Sequence, residues 1–367
     1  MFATIKPVKL RSVTQKISAH YVDNARDLPW RIPPARSAAG ERPDPYHVWL
    51  SEVMLQQTTV AAVKSYFLKF ISRWPTVHDL AAAPEADVLA AWAGLGYYAR
   101  ARNLYKCAVV VASDRDGQFP ENEAELLKLP GIGAYTAAAI AAIAFGKRAV
   151  VVDANIERLV SRIFAIDTPL PSGKVAIRAG MDALTPKTGA GDFAQACMDL
   201  GAAICTAKNP KCLLCPVQNE CAAFASGEPE RFPVKPPKKA KPLRRGRFFW
   251  IEREGNVLLT KRLGKGMLAG MRALPDDRWA AAGDGDGSPP VSGEWLVHEK
   301  IIQHGFTHFT LDVDLAVYRG DKNADDMGGG IEEAKWWPLD SIEDAGLPTL
   351  FAKAVRWKLA DERKNDE

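Results

Sequence analysis

Leu129-Pro130-Gly131-Ile132-Gly133-Ala134-Tyr135-Thr136, then the apolar run to Phe145, then Val150-Val151-Val152-Asp153: this stretch decides the fold. A short element closes on Pro130, a Gly-x-Gly turn follows, and an alanine-rich helix starts at once. Two glycines let backbone N–H groups crowd toward an outside anion, and the unpaired N–H groups and dipole of the new helix point the same way. The stretch reads as a phosphate grip. Asp153 ends a β-branched run and precedes the helical pattern Ile156, Leu159, Val160, Ile163. It suits a helix N-cap, and a cap can also be a catalytic carboxylate.

Working outward, residues 1–225 show helical periodicity around 47–71, 84–92, 99–113, 121–128, 134–145, 154–165, 174–184 and 192–204. Residues 229–246 are proline-rich and basic without apolar periodicity, and read as a linker. From Arg247 the pattern turns to strands. Phe248–Ile251 and Val257–Thr260 flank Glu254-Gly255-Asn256, a hairpin signal. Thr307 to Val317 alternate apolar and polar residues as a half-buried strand does, with His308 on its polar face. A helix from about Pro348 to Ala360 closes the chain, and 281–293 reads as a mobile loop.

The 367 residues suffice for two domains, and 47% hydrophobic with 25% charged residues is ordinary globular composition. The longest apolar run, Ala134 to Phe145, is too short for a membrane span. Residues 1–22 hold Lys and Arg but no acid, as transit peptides do, yet Ile17 to Leu28 leads straight into the next motif and points to a first helix. The net charge of +4 is local: eight basic residues and no acid lie between Arg231 and Arg247, and without them 40 basic residues face 44 acidic ones. Where the charge sits suggests a polyanion partner.

Three stretches carry chemistry. In Trp49-Leu50-Ser51-Glu52-Val53-Met54-Leu55-Gln56-Gln57-Thr58, Glu52 has Val48, Trp49, Leu55 and Gln56 one helical turn away. Composition leaves two readings: a solvated stripe glutamate, or a carboxyl held among apolar groups that stays protonated as a general acid. Gly94-Leu95-Gly96-Tyr97-Tyr98 pairs glycines with aromatics, which fits a backbone approaching DNA with a ring to wedge between bases, or a tight turn with core tyrosines. Cys205-x6-Cys212-x2-Cys215-x5-Cys221 can enclose one metal centre, zinc or [4Fe–4S]. Structural zinc usually shows two paired short spacings and this set has one, which favours iron–sulfur. Cys107 and Cys197 stand apart as core thiols.

These motifs, with Leu28-Pro29-Trp30-Arg31, resemble those of the helix–hairpin–helix superfamily of endonuclease III, and in wording the MutY family of adenine DNA glycosylases, over residues 28–221. The resemblance implies a mostly α helix–hairpin–helix glycosylase domain (1–228) with a [4Fe–4S] loop on Cys205, Cys212, Cys215 and Cys221. It implies the basic linker (229–246) and an α+β Nudix-like domain (247–367) that recognises 8-oxoguanine. Glu52 becomes the acid that protonates the adenine at N7. Asp153 stabilises the oxocarbenium-like sugar, and Tyr135 and Asn155 orient the parts. Arg31, Gln56, Gln57, Thr58, Tyr97, Gly131 and Gly133 meet DNA, Gln57 and Tyr97 probing the lesion.

Thr307, where the family more often has serine, and His308 would read 8-oxoguanine. Bifunctional relatives carry a lysine after the Gly-x-Gly turn; Tyr135 cannot form that imine, so base removal without efficient strand cleavage is expected. A Nudix hydrolase carries Gly-x5-Glu-x7-Arg-Glu-x2-Glu-Glu; Asp276-Asp277-Arg278 does not replace it, so recognition without pyrophosphatase chemistry is expected. The loop from Arg262 to Pro275 departs from the family at Met271-Arg272-Ala273. The expected substrate is duplex DNA with A opposite 8-oxoguanine or G, bound by a monomer in a bacterial cytoplasm without membrane contact, the linker serving DNA or protein partners. Competing readings are a thymine mismatch glycosylase, a non-catalytic iron–sulfur DNA binder and a nucleotide hydrolase.

Overall fold

The computed structural model describes residues 9–237, 240–262, 268–319, 331 and 333–365, without the side chains of 363–365. The chain divides into two compact units, Met1–Ala82 with Asn103–Lys238, and Ala83–Arg102 with Lys239–Glu367.

The first unit is helical. It holds α1 (Leu10–Asn24), α2 (Pro34–Ala38), α3 (Pro45–Met54), α4 (Val60–Arg73) and α5 (Val77–Ala82). After α6 (Glu85–Ala91) and the first turn of α7 (Tyr98–Asp114), which count with the second unit, it resumes. There follow α8 (Glu123–Leu126), α9 (Ala134–Ile143), α10 (Ala154–Ile163), α11 (Lys174–Leu184), α12 (Ala190–Ala203) and α13 (Ala222–Ala225). The periodicity over 47–71 is two helices, not one. The chain breaks at Leu55–Thr59, where Gln57 takes a positive φ of 57° and Thr59 caps α4 by accepting from the Ala62 N–H at 3.3 Å.

α9 is buried on every face from Thr136 to Ile143. Alanine makes that packing work, because short side chains let neighbouring backbones close in. A Cβ on Gly191 of α12 would stand 2.4 Å from the Ala142 carbonyl oxygen. α12 packs on α1, α9 and α10, and α3 packs on α9, so the helices that carry Glu52, Tyr135 and Asp153 share one core. In the turn between α8 and α9, Gly131 has φ +75° and an added Cβ would lie 2.7 Å from the Asn103 Cβ. Gly133 is extended and an added Cβ would meet nothing within 4 Å. The first glycine serves the turn and the second leaves its outer side open.

The 229–246 segment is tied at both ends. Arg162 Nε donates to the Phe232 carbonyl at 3.1 Å, the Leu170 N–H donates to Val234 O at 2.9 Å, and Leu243 opens a strand. Lys238 and Lys239 lie outside the described residues.

The second unit holds β1 (Leu243–Trp250), β2 (Glu252–Arg253), β3 (Asn256–Lys261), β4 (Arg272–Ala273), β5 (Trp295–Gly305), β6 (Thr310–Tyr318), β7 (Lys335–Pro338) and α14 (Thr349–Asn365). One sheet runs β1-β6-β5, with β1 parallel and β5 antiparallel to β6; the other runs β2-β3-β4, with β7 on β3. The predicted hairpin forms at Glu254-Gly255, whose φ values of 49° and 71° are those of a primed turn. Phe248, Trp250, Val257, Leu311, Val313, Leu315 and Phe351 make its core.

The strand predicted from Thr307 begins at Thr310 instead. Phe306 to Phe309 form a turn, the Phe306 N–H donating to Phe309 O at 2.8 Å with the two rings stacked 4.7 Å apart. Thr307 and His308 are thus exposed at a hairpin tip, not on a strand face. Residues 263–267 of the glycine loop lie outside the described residues. Among the described residues no helix is long and apolar enough to cross a membrane.

Candidate active site

The first unit encloses a cleft of about 1300 Å³ lined by Arg31, Glu52, Gln56, Gln57, Thr58, Gly131, Gly133, Tyr135, Asp153 and Asn155. Every candidate of the helical unit, cluster ligands apart, reaches one wall or another of it. Tyr97, Thr307 and His308 belong to the second unit.

Glu52 lies on a helix whose sides are covered almost all round. From Val48 to Met54 every α3 residue is buried, and Glu52 is 6% exposed. Burial pushes its carboxyl up to about 7, against the pull of the Tyr135 hydroxyl and of Arg31, while the nearby charge of Asp153 adds to the rise. Tyr135 rises from the first turn of α9 and its hydroxyl donates to Glu52 Oε2. That leaves Oε1 to carry the proton. Burial, then Glu52, pushes the Tyr135 hydroxyl well above its usual range, so it stays a donor.

Asp153 is the N-cap of α10 and accepts from the Ile156 N–H at 2.6 Å through Oδ1. Its other oxygen, Oδ2, accepts from Asn155 Nδ2 at 2.8 Å. The carboxylate that caps α10 thus lines the cleft with both of its oxygens hydrogen-bonded. Burial raises its pKa, and these donors, with Arg158, pull the other way.

Sequence reading missed the groups behind these. Arg158 Nη2 donates to Asn155 Oδ1 at 2.9 Å and to Gly201 O at 2.6 Å, and its Nε donates to Cys205 O at 2.6 Å. The spacing of Asn155 and Arg158, three apart on a helix, was the only available signal. Gly201 has no room for a side chain, since its Cβ would stand 2.7 Å from Asn155 Cβ. Asp199 is buried and holds Arg31 Nη1 at 2.9 Å. Nothing in the sequence joins those two. On the neighbouring wall Gln56 Nε2 donates to Thr136 Oγ1 at 3.3 Å, and Gln57 is exposed.

Cys205, Cys212, Cys215 and Cys221 are free thiols and line one small cavity with Leu159, Ile163, Ile204, Val217 and Phe224. Among the described residues no three His, Cys, Asp or Glu side chains converge on a single metal ion. Arg162 Nη1 donates to Cys205 Sγ at 3.3 Å. Cys221 Sγ donates to the Arg162 carbonyl at 3.4 Å, so two of four soft donors around an apolar cavity are already hydrogen-bonded to one residue, and the set fits a sulfur-ligated cluster.

Residues 50–181 match the model of the HhH-GPD superfamily base excision DNA repair proteins, and 205–221 the iron–sulfur binding domain of endonuclease III. Residues 247–357 match the NUDIX domain. The adenine DNA glycosylase of Buchnera aphidicola subsp. Schizaphis graminum is 30% identical over 354 residues, covering 92% of this chain and 95% of that one. This chain belongs to the adenine DNA glycosylase family. The human adenine DNA glycosylase is 31% identical over 399 residues, covering 92% of this chain and 72% of its own length. A solved thermostable thymine-DNA glycosylase is 31% identical with a TM-score of 0.52, over 59% of this chain and 97% of its own. Adenine DNA glycosylases are hydrolases acting on N-glycosyl bonds, and this chain is a base-excision repair glycosylase with an iron–sulfur binding loop and a Nudix-like C-terminal region.

Proposed function

We propose that this protein removes adenine mispaired with 8-oxoguanine or G by hydrolysing its N-glycosidic bond, without efficient strand cleavage. The observation that carries the reading is the cleft in which a buried Glu52, bonded by Tyr135, faces Asp153 with both of its oxygens hydrogen-bonded.

An adenine inside the stack cannot be attacked, so it is extruded into the cleft. Glu52 gives its proton to N7, which turns adenine into a better leaving group. As the bond breaks, positive charge grows on the deoxyribose, and Asp153 meets it as an anion already fixed by Ile156 and Asn155. Water then adds to the sugar. Tyr135 fixes which oxygen of Glu52 carries the proton, and Asn155 fixes Asp153. Arg31, Gln56, Gln57, Thr58 and the Gly131–Gly133 turn face the strand, with Tyr97 as the probing ring. Gly131 and Gly133 set phosphates against the N–H groups of α9.

Cys205, Cys212, Cys215 and Cys221 would hold a [4Fe–4S] cluster, which when bound cross-links the loop; hydrolysis requires no electron transfer. Thr307 and His308, at the hairpin tip, read 8-oxoguanine. The enzyme acts as a monomer in a bacterial cytoplasm, and residues 229–246 connect the helix–hairpin–helix domain of 1–228 to the recognition domain of 247–367 and offer a surface to DNA or protein.

Duplexes carrying A opposite 8-oxoguanine, A opposite G and T opposite G, treated with enzyme and then alkali, test this. Breaks at the adenine that appear only after alkali are expected. Breaks at T opposite G instead would select the second reading, the chemistry of the thymine-DNA glycosylase whose structure this chain resembles. A borohydride-trapped adduct at levels matching turnover would overturn the monofunctional assignment.

A further inference from the structure

At the wall of the cleft lies an ion cluster centred on Asp199, a buried carboxylate to which the proposed reaction gives no part. Asp199, on α12, accepts from Arg31 Nη1 at 2.9 Å and from the Arg26 N–H at 3.0 Å, both on Oδ2, and from Arg26 Nε at 2.7 Å on Oδ1. The side chains of Arg31 and Asp199 are 7% and 9% exposed. Two guanidiniums therefore share one carboxylate, and both arginines line the cleft that holds Glu52, Arg31 being the one whose charge acts on it. Among the described residues Arg31 pairs with Asp199 and not with Glu52.

A guanidinium buried beside two carboxylates will pair with whichever is ionised and within reach. Pairing with Glu52 would stabilise the charged form of the group that has to arrive protonated. We propose that Asp199 is a positioning residue that occupies Arg31 and so leaves Glu52 free to hold its proton near neutrality. This rests on the reading of Glu52 as proton donor.

The surroundings support it. Glu52 faces Tyr135 from α9, Asp153 from the start of α10, and Arg31. Of these Arg31 alone is a cation, and its charge favours ionised Glu52. Arg31 faces Asp199 from α12 and Tyr21 from α1. Burial works against its charge, but Asp199 outweighs that and leaves Arg31 more firmly protonated than usual. Arg26 keeps Asp199 tied to the segment that carries Arg31, and its side chain is itself partly exposed. Asp192 contributes charge near Tyr21 and lies on the same helix as Asp199.

The test reads Glu52 directly, on the intact protein, from the 13C signal of glutamate labelled at the side-chain carboxyl. The resonance is assigned by its loss in Glu52→Gln. Asp199→Asn removes the competing charge, and the Glu52 midpoint is expected to fall by about one pH unit, from about 7. Arg31→Met leaves Asp199 paired with Arg26 and is expected to raise the midpoint. In the double variant the fall should vanish.

An unmoved midpoint in Asp199→Asn overturns the proposal. If that variant does not fold, an unmoved or lowered midpoint in Arg31→Met does so. Adenine excision against pH reports separately on the underlying reading. A Glu52→Gln protein that still excises adenine at the normal rate ends the role of Glu52, whatever the titration shows. Excision lost equally at every pH in Asp199→Asn, with the midpoint unmoved, assigns Asp199 a merely structural part.

Discussion

The cleft around Glu52 and the hairpin tip at Thr307-His308 face opposite demands. Glu52 is buried, Tyr135 and Asp153 are half-buried, and each is held by a neighbour before any substrate arrives. Thr307 and His308 stand exposed on a turn pinched by Phe306 and Phe309. A group that must keep a proton near neutrality needs low dielectric and fixed partners. A group that reads a base edge can meet its partner in water, because the hydrogen bond forms only in the complex. The first arrangement costs folding energy, and the second costs little.

The sharpest break of that contrast is Glu52→Gln, expected to lower single-turnover adenine excision by roughly 10²–10⁴-fold while the duplex Kd stays unchanged. Normal turnover would place Glu52 outside the chemistry. Asp153→Asn separates the cap from the charge. Asn caps as well as Asp but cannot also accept from Asn155 Nδ2, so stability should fall by only about 1 kcal/mol while excision falls by about 10²-fold or more. A large loss of Tm with little loss of rate would make Asp153 a cap alone.

The folding cost of the cleft has a pH signature. The folded carboxyl of Glu52 sits at about 7 against an ordinary 4.5, so the native state binds the extra proton between those values. Stability is therefore lost as pH rises through that window and is level above it. Glu52→Gln removes the penalty and should stabilise the protein by about 3 kcal/mol at pH 8 and not at pH 4, as urea melts would show. No such gain is expected for His308→Ala.

Within the turn before α9 the same contrast recurs on a smaller scale. Gly131→Ala is expected to cost about 1–3 kcal/mol, since it forces a side chain into a positive φ beside Asn103. Gly133→Ala should leave the Tm alone and weaken DNA binding, because its open side faces outward. The smallest effect belongs to the hairpin tip. Thr307→Ala and His308→Ala should each reduce the preference for A opposite 8-oxoguanine over A opposite G by about fivefold, one hydrogen bond's worth, with Tm unchanged. An altered Tm would mean the turn is structural.

Periodicity, the Gly-x-Gly turn and the spacing of four cysteines were enough to read a helical unit, the turn that opens α9, an iron–sulfur binding loop and a second, β-rich region. Those features are local: a turn, a cap or a cysteine loop is set by residues close together in the chain. The start of the strand at Thr310 rather than Thr307 was not legible, because alternation continues through a turn as smoothly as through a strand. Whether Glu52 faced water or the core was equally open, since its neighbours along α3 are apolar on more than one side. Packing of α3 against α9 decided that. The pairing of Asp199 with Arg31, across 168 positions of chain, and the fit of Gly201 against Asn155 came from tertiary structure alone. Charge and shape complementarity between distant segments leave no periodic trace in the sequence, and the burial that raises the pKa of Glu52 and Asp153 exists only once those segments have packed.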